Sequence, residues 1–216
     1  MDPLEMVRNM RFTADDAFLD PGCKALLTAL AERDSHTQDH SRRVMGFAHL
    51  LGLCCNLGED DLMALNIAAY FHDIGKIGIP DNILLKPNRF TPDEMEIMKS
   101  HPEKGEGIVK ELGLKLGQAV AQAVRHHHEH VDGGGYPDGL TGEEIPYIAR
   151  IISVADSFDA MTESRPYHPA RATSDVLEIM QGESGSKLDS YLVAKLRELI
   201  QSKHAGLVAL LDNSIV

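Results

Sequence analysis

The chain has 216 residues, 43% apolar and 25% charged, with no tryptophan; this is the make-up of one globular domain with a substantial core, and it excludes a disordered or low-complexity chain. A formal charge of −12 opposes non-specific binding to nucleic-acid polymers or anionic lipid, so any anionic ligand needs a local positive site. The longest near-continuous apolar stretch, LMALNIAAYF, is too short to cross a bilayer, and the opening MDPLEMVRNMRF has no signal-like apolar run. The expectation is a cytoplasmic protein without membrane insertion, and three cysteines without a CxxC pair fit it as buried thiols.

Residues 1–20 lack periodicity and read as a lead-in or linker remnant, 21–205 as one domain, and 206–216 as a tail. Within the domain the signals are helical. PGCKALLTALAER starts on Pro21 and carries a stripe of Ala25, Leu26, Ala29 and Leu30. The next helix, from about His36 to Leu57, buries Val44, Phe47, Ala48, Leu51 and Cys55, with His40 on the same side and Gly58 as its stop. EDDLMALNIAAYFHD places acids at a helix N-terminus and brings His72 and Asp73 to its end.

Thr91, Pro92 and Glu94 make a capping box that opens a helix ending near His101. Leu116, Val120, Ala121 and Val124 line a helix that delivers His126, His127, His128 and His130 to its C-terminus. Thr141 and Glu144 repeat the box before Pro146, and Ile148, Ile151, Ile152, Ala155 and Asp156 mark the helix that follows. TSDVLEIM and LDSYLVAKLRELI supply two more helices. No strand pattern appears, so the fold class is all-α with roughly eight or nine helices.

The histidine run VRHHHEHVDGGGYPDG is open, taken alone, to a metal site or a solvated patch. AYFHDIGKIGIPD is sharper, because an apolar helix ending on an adjacent His and Asp must pair them with something. A core salt bridge would do for one pair. His40, His72, Asp73, His101, His127, His128 and Asp156, all at helix ends or on buried faces, are too many for packing. Imidazoles and carboxylates without thiolates suit Mn, Fe or similar divalent ions, and Asp73 can bridge two of them. Two such ions form a clamp for in-line displacement at phosphorus, which points to phosphoester hydrolysis.

His72-Asp73 within HDIGKIGIPDNIL, then HPEKGEGI, HHHEHVDGGGYPDGL, IPYIARIISVADSFDAMTESRPY and SGSKLD occur in an order that resembles the HD-GYP family of bacterial cyclic di-GMP phosphodiesterases, over about residues 30–200. The resemblance implies an HD-domain helical bundle with the HD-GYP extension, holding two or three divalent ions, and hydrolysis of cyclic di-GMP to pGpG or GMP. It assigns His40, His72, Asp73 and Asp156 to one ion, and Asp73, His101, His127 and His128 to a second. His126 and His130 receive no ligand role and read as supports behind the ligands or, the favoured reading, as solvated.

Lys76 resembles the family lysine that faces the phosphate, and Arg165 in SRPY the phosphate clamp, whose guanidinium fork suits two phosphate oxygens. Two positions depart from the family pattern. His36 stands where some members place a glutamate for a third ion, and His168 where a lysine or arginine usually follows the clamp. A histidine there grips phosphate less firmly as pH rises.

Gly133 to Gly135 are expected to supply positive φ angles and Pro137 a stiff exit, and Tyr136 is not assigned a catalytic role. Two other readings remain: a catalytically weak module that senses cyclic di-GMP or docks diguanylate cyclase domains through the Gly-Tyr-Pro loop, and a phosphodiesterase for another cyclic dinucleotide. Product analysis separates them.

Overall fold

Apolar residues at helical spacing build the regular elements of this computed structural model, which describes residues 21–33, 35–163 and 171–201, the side chains of 35, 36 and 38 excepted. The helices are α1 (Pro21–Arg33), α2 (Ser35–Cys54), α3 (Glu59–Phe71), α4 (Asp81–Leu84), α5 (Pro92–Met98), α6 (His101–Glu111), α7 (Gly117–His126), α8 (Tyr147–Thr162), α9 (Thr173–Glu183) and α10 (Ser190–Gln201), with 3-10 turns at Ile74–Gly78 and Gly142–Glu144. Nine of these helices run seven residues or more, and there is no strand among the described residues, only two isolated bridges. The all-α class holds. The segments 1–20 and 206–216 lie outside the described residues.

The core lies where α2, α3, α7 and α8 meet: α2 packs on α1, α3, α8 and α10, and α3 also touches α7 and α8. Val44, Phe47, Ala48 and Leu51 are buried as expected, in one core cluster with Leu65 and Ala68 of α3 and Ile151, Ala155 and Phe158 of α8. The rings of Phe47 and Phe158 meet edge-to-face at 5.0 Å, the geometry their quadrupoles favour.

Four local expectations change. The buried stripe of α1 is Cys23, Leu27 and Leu30, while Ala25 and Ala29 face outward, because the longer side chains set which face packs. Helix α2 ends at Cys54, before Cys55, and Cys54 and Cys55 are only half-buried; Asn56 takes a left-handed φ of 56°, and Gly58 is the N-cap of α3. His101 begins a helix instead of ending one: Pro102 has no N–H for the Met98 carbonyl and cannot continue α5. The second capping box, Thr141 with Glu144, closes only the short 3-10 turn, and α8 starts after Pro146.

Gly75 sets the depth of the turn after Asp73. A Cβ there would lie 1.9 Å from the His101 carbonyl oxygen and 2.5 Å from the Gly105 nitrogen, so only glycine lets the turn press backbone to backbone on α6. From the other side, Arg33 at the end of α1 donates to the carbonyls of Ile77 and, at 2.6 Å, Ile79, and pairs with Asp81. The segment carrying Asp73 and Lys76 is thereby tied to both α1 and α6.

Candidate metal centre

Helix ends leave backbone carbonyls without partners, and three histidines use them. His72 Nδ1 lies 2.7 Å from the Ala69 carbonyl, His101 Nδ1 2.9 Å from that of Met98, and His127 Nδ1 2.7 Å from that of Val124. A carbonyl only accepts, so each Nδ1 carries the proton and each Nε2 presents a lone pair inward. At His101 the free acceptor is the one that Pro102 cannot use.

The inward atoms form two groups. His40, His72 and Asp73 bring ligand-capable atoms within 4.8 Å of one another, and so do His101, His127 and His128. The Asp73 carboxylate faces both: Oδ2 is 3.4 Å from His72 Nε2 and 3.8 Å from His40 Nε2, and Oδ1 is 3.4 Å from His101 Nε2. Asp156 adds Oδ1 at 3.1 Å from His40 Nε2. The structure thus brings together all seven residues expected to meet.

This donor set is short of positive charge. His72 Nε2 is buried with no hydrogen-bond partner, and His101 Nε2 faces His127 Nε2 at 3.4 Å with no proton for either, since both Nδ1 atoms hold theirs. Buried lone pairs that face one another are what a cation would satisfy. The residues therefore fit divalent metal ions, which are stabilised by neutral imidazole and carboxylate.

The protonation pattern agrees at His101, His127 and His128 and differs at His40. Burial holds His101 down to about 4 and His128 down to about 3, and pushes His127 well below the usual imidazole range, with the neighbouring imidazoles adding to it. Burial opposes a proton on His40 too, but hydrogen bonds to Asp156 and Asp159 raise it to about 9. Burial would raise Asp73, yet the Lys76 ammonium and then the imidazoles hold it well below the carboxylate range, and His40 does the same for Asp156. At neutral pH three imidazoles are neutral and both carboxylates ionised.

Lys76 reaches this centre directly, with Nζ 2.6 Å from Asp73 Oδ2 and its side chain 24% exposed. Arg165, His168 and the side chain of His36 lie outside the described residues. His126 is not solvated as expected: it is 5% exposed, with Nδ1 2.9 Å from the Gln122 carbonyl and Nε2 2.8 Å from Asp138, so neither nitrogen is left for an ion. His130 is half-buried and belongs to neither group.

Two residues were missed by sequence reasoning. Asp159 is 1% exposed and meets His40 Nδ1 at 2.7 Å; its spacing of three from Asp156 on α8 was the available signal. Glu129 is 2% exposed, and its oxygens accept from the backbone amides of Asp138, Gly139 and Leu140 at 2.7, 3.1 and 3.1 Å. Although His126, Glu129 and Asp138 also cluster, these bonds already occupy Glu129 and His126. The loop glycines differ from expectation as well. Of Gly133, Gly134 and Gly135 only Gly133, at 82°, has positive φ, whereas Gly135 is required by contact, its would-be Cβ falling 2.3 Å from His130 N and 2.5 Å from the His128 carbonyl.

The model for the HD domain matches residues 24–192. The cyclic di-GMP phosphodiesterase response regulator RpfG of Xanthomonas campestris is 40% identical over 171 residues, 79% of this chain and 45% of that protein. The 3'3'-cGAMP-specific phosphodiesterase 3 of Vibrio cholerae is 33% identical over 186 residues, 86% of this chain and 40% of that protein. The chain thus spans less than half the length of these two relatives. Bd1817, described as an HDG"Y"P protein of Bdellovibrio bacteriovorus, has the same fold, with a TM-score of 0.63 at 17% identity over 93% of this chain and 61% of that one. With its His72-Asp73 pair in the buried centre and Gly135-Tyr136-Pro137 beside it, the chain belongs to the HD domain family and carries the HD-GYP signature.

Proposed function

We propose that this chain is a metal-dependent phosphodiesterase that hydrolyses cyclic di-GMP to pGpG or GMP. The observation that carries the reading is the Asp73 carboxylate, which faces two groups of imidazole nitrogens with one oxygen each. His40, His72, Asp73 and Asp156 hold one ion, and Asp73, His101, His127 and His128 the other, with Mn or Fe favoured by the nitrogen and oxygen donors. Such ions, when bound, supply positive charge for a phosphodiester and make water more acidic.

The chain's own groups orient the substrate. Lys76, at the edge of the centre, offers its ammonium to a phosphate oxygen as negative charge develops there. Arg165 and His168 are the proposed phosphate contacts, and His36 the candidate for a third ion, on the sequence alone. The exposed Asp132, Gly134, Asp138 and Gly139 of the Gly-Tyr-Pro loop are the surface through which a diguanylate cyclase domain would dock. No described helix is long and apolar enough to cross a membrane.

A second substrate has its own support, since the Vibrio cholerae relative named for 3'3'-cGAMP is 33% identical over most of this chain. The test is anaerobic purification, metal quantification and chromatography of products from cyclic di-GMP, 3'3'-cGAMP and cyclic di-AMP. Linear product from cyclic di-GMP ahead of the other two is expected. Binding of cyclic di-GMP with its return unchanged by metal-loaded protein would overturn the reading in favour of a sensor.

A further inference from the structure

Of the four imidazoles at the helix ends, His128 alone is not tied to a carbonyl. His72, His101 and His127 each donate Nδ1–H to one, whereas neither ring nitrogen of His128 has a hydrogen bond to another described residue. The torsion that swings an imidazole is broad and roughly two-fold, so something else must decide which nitrogen His128 presents. Its ring contacts are the one restraint left. Tyr136 stacks on it at 4.9 Å with 30° between planes, while His127 lies at 4.0 Å and 42° and His101 at 5.1 Å edge-on.

The Tyr136 ring is in turn held by the root of its loop. Tyr136 N donates to the His128 carbonyl at 3.2 Å, and Gly135 lies so close to His128 and His130 that no side chain fits. Glu129, next in sequence to His128, gathers the amides of residues 138, 139 and 140 on its buried carboxylate. Outside this nest, Asp138 is gripped by Arg125 at 2.7 Å and by His126 at 2.8 Å. The loop leaves the ligand histidines, turns, and is pinned back on the residue that follows them.

We infer that Tyr136 and Glu129 are positioning residues for the second ion: Glu129 closes the Gly-Tyr-Pro loop through three backbone amides, and the closed loop holds the Tyr136 ring against His128 so that one nitrogen of His128 faces the cluster. The ring does this work and the hydroxyl does not. The inference rests on the ligand set proposed above. It makes the Gly-Tyr-Pro sequence a brace for a metal ligand, built from a stacked ring, a contact glycine and a carboxylate nest.

The test uses the full chain and Mn2+ alone, measured by chelator competition and metal count. Wild type and Tyr136→Phe should hold two ions with the same affinities. Tyr136→Ala and Glu129→Gln should keep one tight ion and bind the second on the order of tenfold more weakly or worse, the usual loss when a ligand's outer support is removed. In a His128→Ala background, Tyr136→Ala should add nothing, because the effect runs through His128.

Wild-type affinity in Tyr136→Ala, equal weakening by Tyr136→Phe, or an undiminished penalty in the His128→Ala background would each overturn the brace. Wild type that binds no Mn2+ would instead overturn the ligand set, which keeps the two failures apart. Circular dichroism and a thermal melt check that Glu129→Gln folds; if it does not, the Tyr136 comparison decides alone.

Discussion

His40 Nδ1 meets Asp159 Oδ2 at 2.7 Å, and Arg43 closes on the same carboxylate with Nε at 2.7 Å and Nη2 at 3.1 Å. Two cationic or proton-donating groups thus converge on one buried anion, which turns His40 Nε2 toward Asp156 and Asp73. Asp159 does for His40 what backbone carbonyls do for His72, His101 and His127, with a full negative charge that makes the imidazole a better donor to a cation.

Asp159→Ala should therefore weaken the ion held with His40 by roughly 10- to 100-fold while the ion at His101, His127 and His128 stays. The folded state should also lose about 3 kcal/mol, near the low end for a broken buried pair because Arg43 keeps some solvent. Mn2+ titration and urea denaturation of the metal-free protein measure the two effects separately. Equal weakening at both ions would count against a local role.

Asp73→Ala should release both ions, because its two oxygens point at different imidazole groups. Metal content should fall from about two per chain to below one, with loss of the proposed phosphodiesterase activity. Full occupancy in the variant, read by elemental analysis, would remove Asp73 from the bridging position.

Gly75→Ala should destabilise by about 3 kcal/mol or more, the upper end for overpacking, since the new methyl meets backbone atoms of His101 and Gly105 and not a flexible side chain. The same displacement moves Asp73 and Lys76 away from His101, so metal affinity should fall with stability. Denaturation midpoints and Mn2+ binding check both.

The loop should respond to acid through Asp138. The Arg125 guanidinium first, then the His126 hydrogen bond, hold the Asp138 carboxyl well below the usual carboxylate range. A carboxyl depressed in the folded state stabilises it above the unfolded pKa of about 3.9, and the contribution is lost as pH falls through the lower folded value. Asp138→Asn should accordingly melt below wild type at neutral pH, with a gap that narrows below about pH 4. A gap independent of pH would show that the side chain acts by packing.

The sequence by itself determined the helical class, the order of the helices other than α4 and α6, and which residues are ligand-capable. These follow from local chemistry: apolar spacing near 3.6, the capping box at Thr91 and Glu94, and acids and imidazoles where an apolar face ends. It also carried the ordered motifs that resemble the HD-GYP family. The tertiary structure alone decided which groups face one another. Pro102 could be read as a helix breaker, yet that it frees the Met98 carbonyl to fix the His101 ring depends on where α5 and α6 meet. His126 sits one residue before two ligand candidates and looks equivalent to them in sequence, but successive helical residues point about 100° apart, and its ring lands on Asp138. Asp159 and Glu129 gain their roles from partners 119 residues away and across a folded loop, contacts that no spacing rule encodes because chain reversal, not periodicity, creates them.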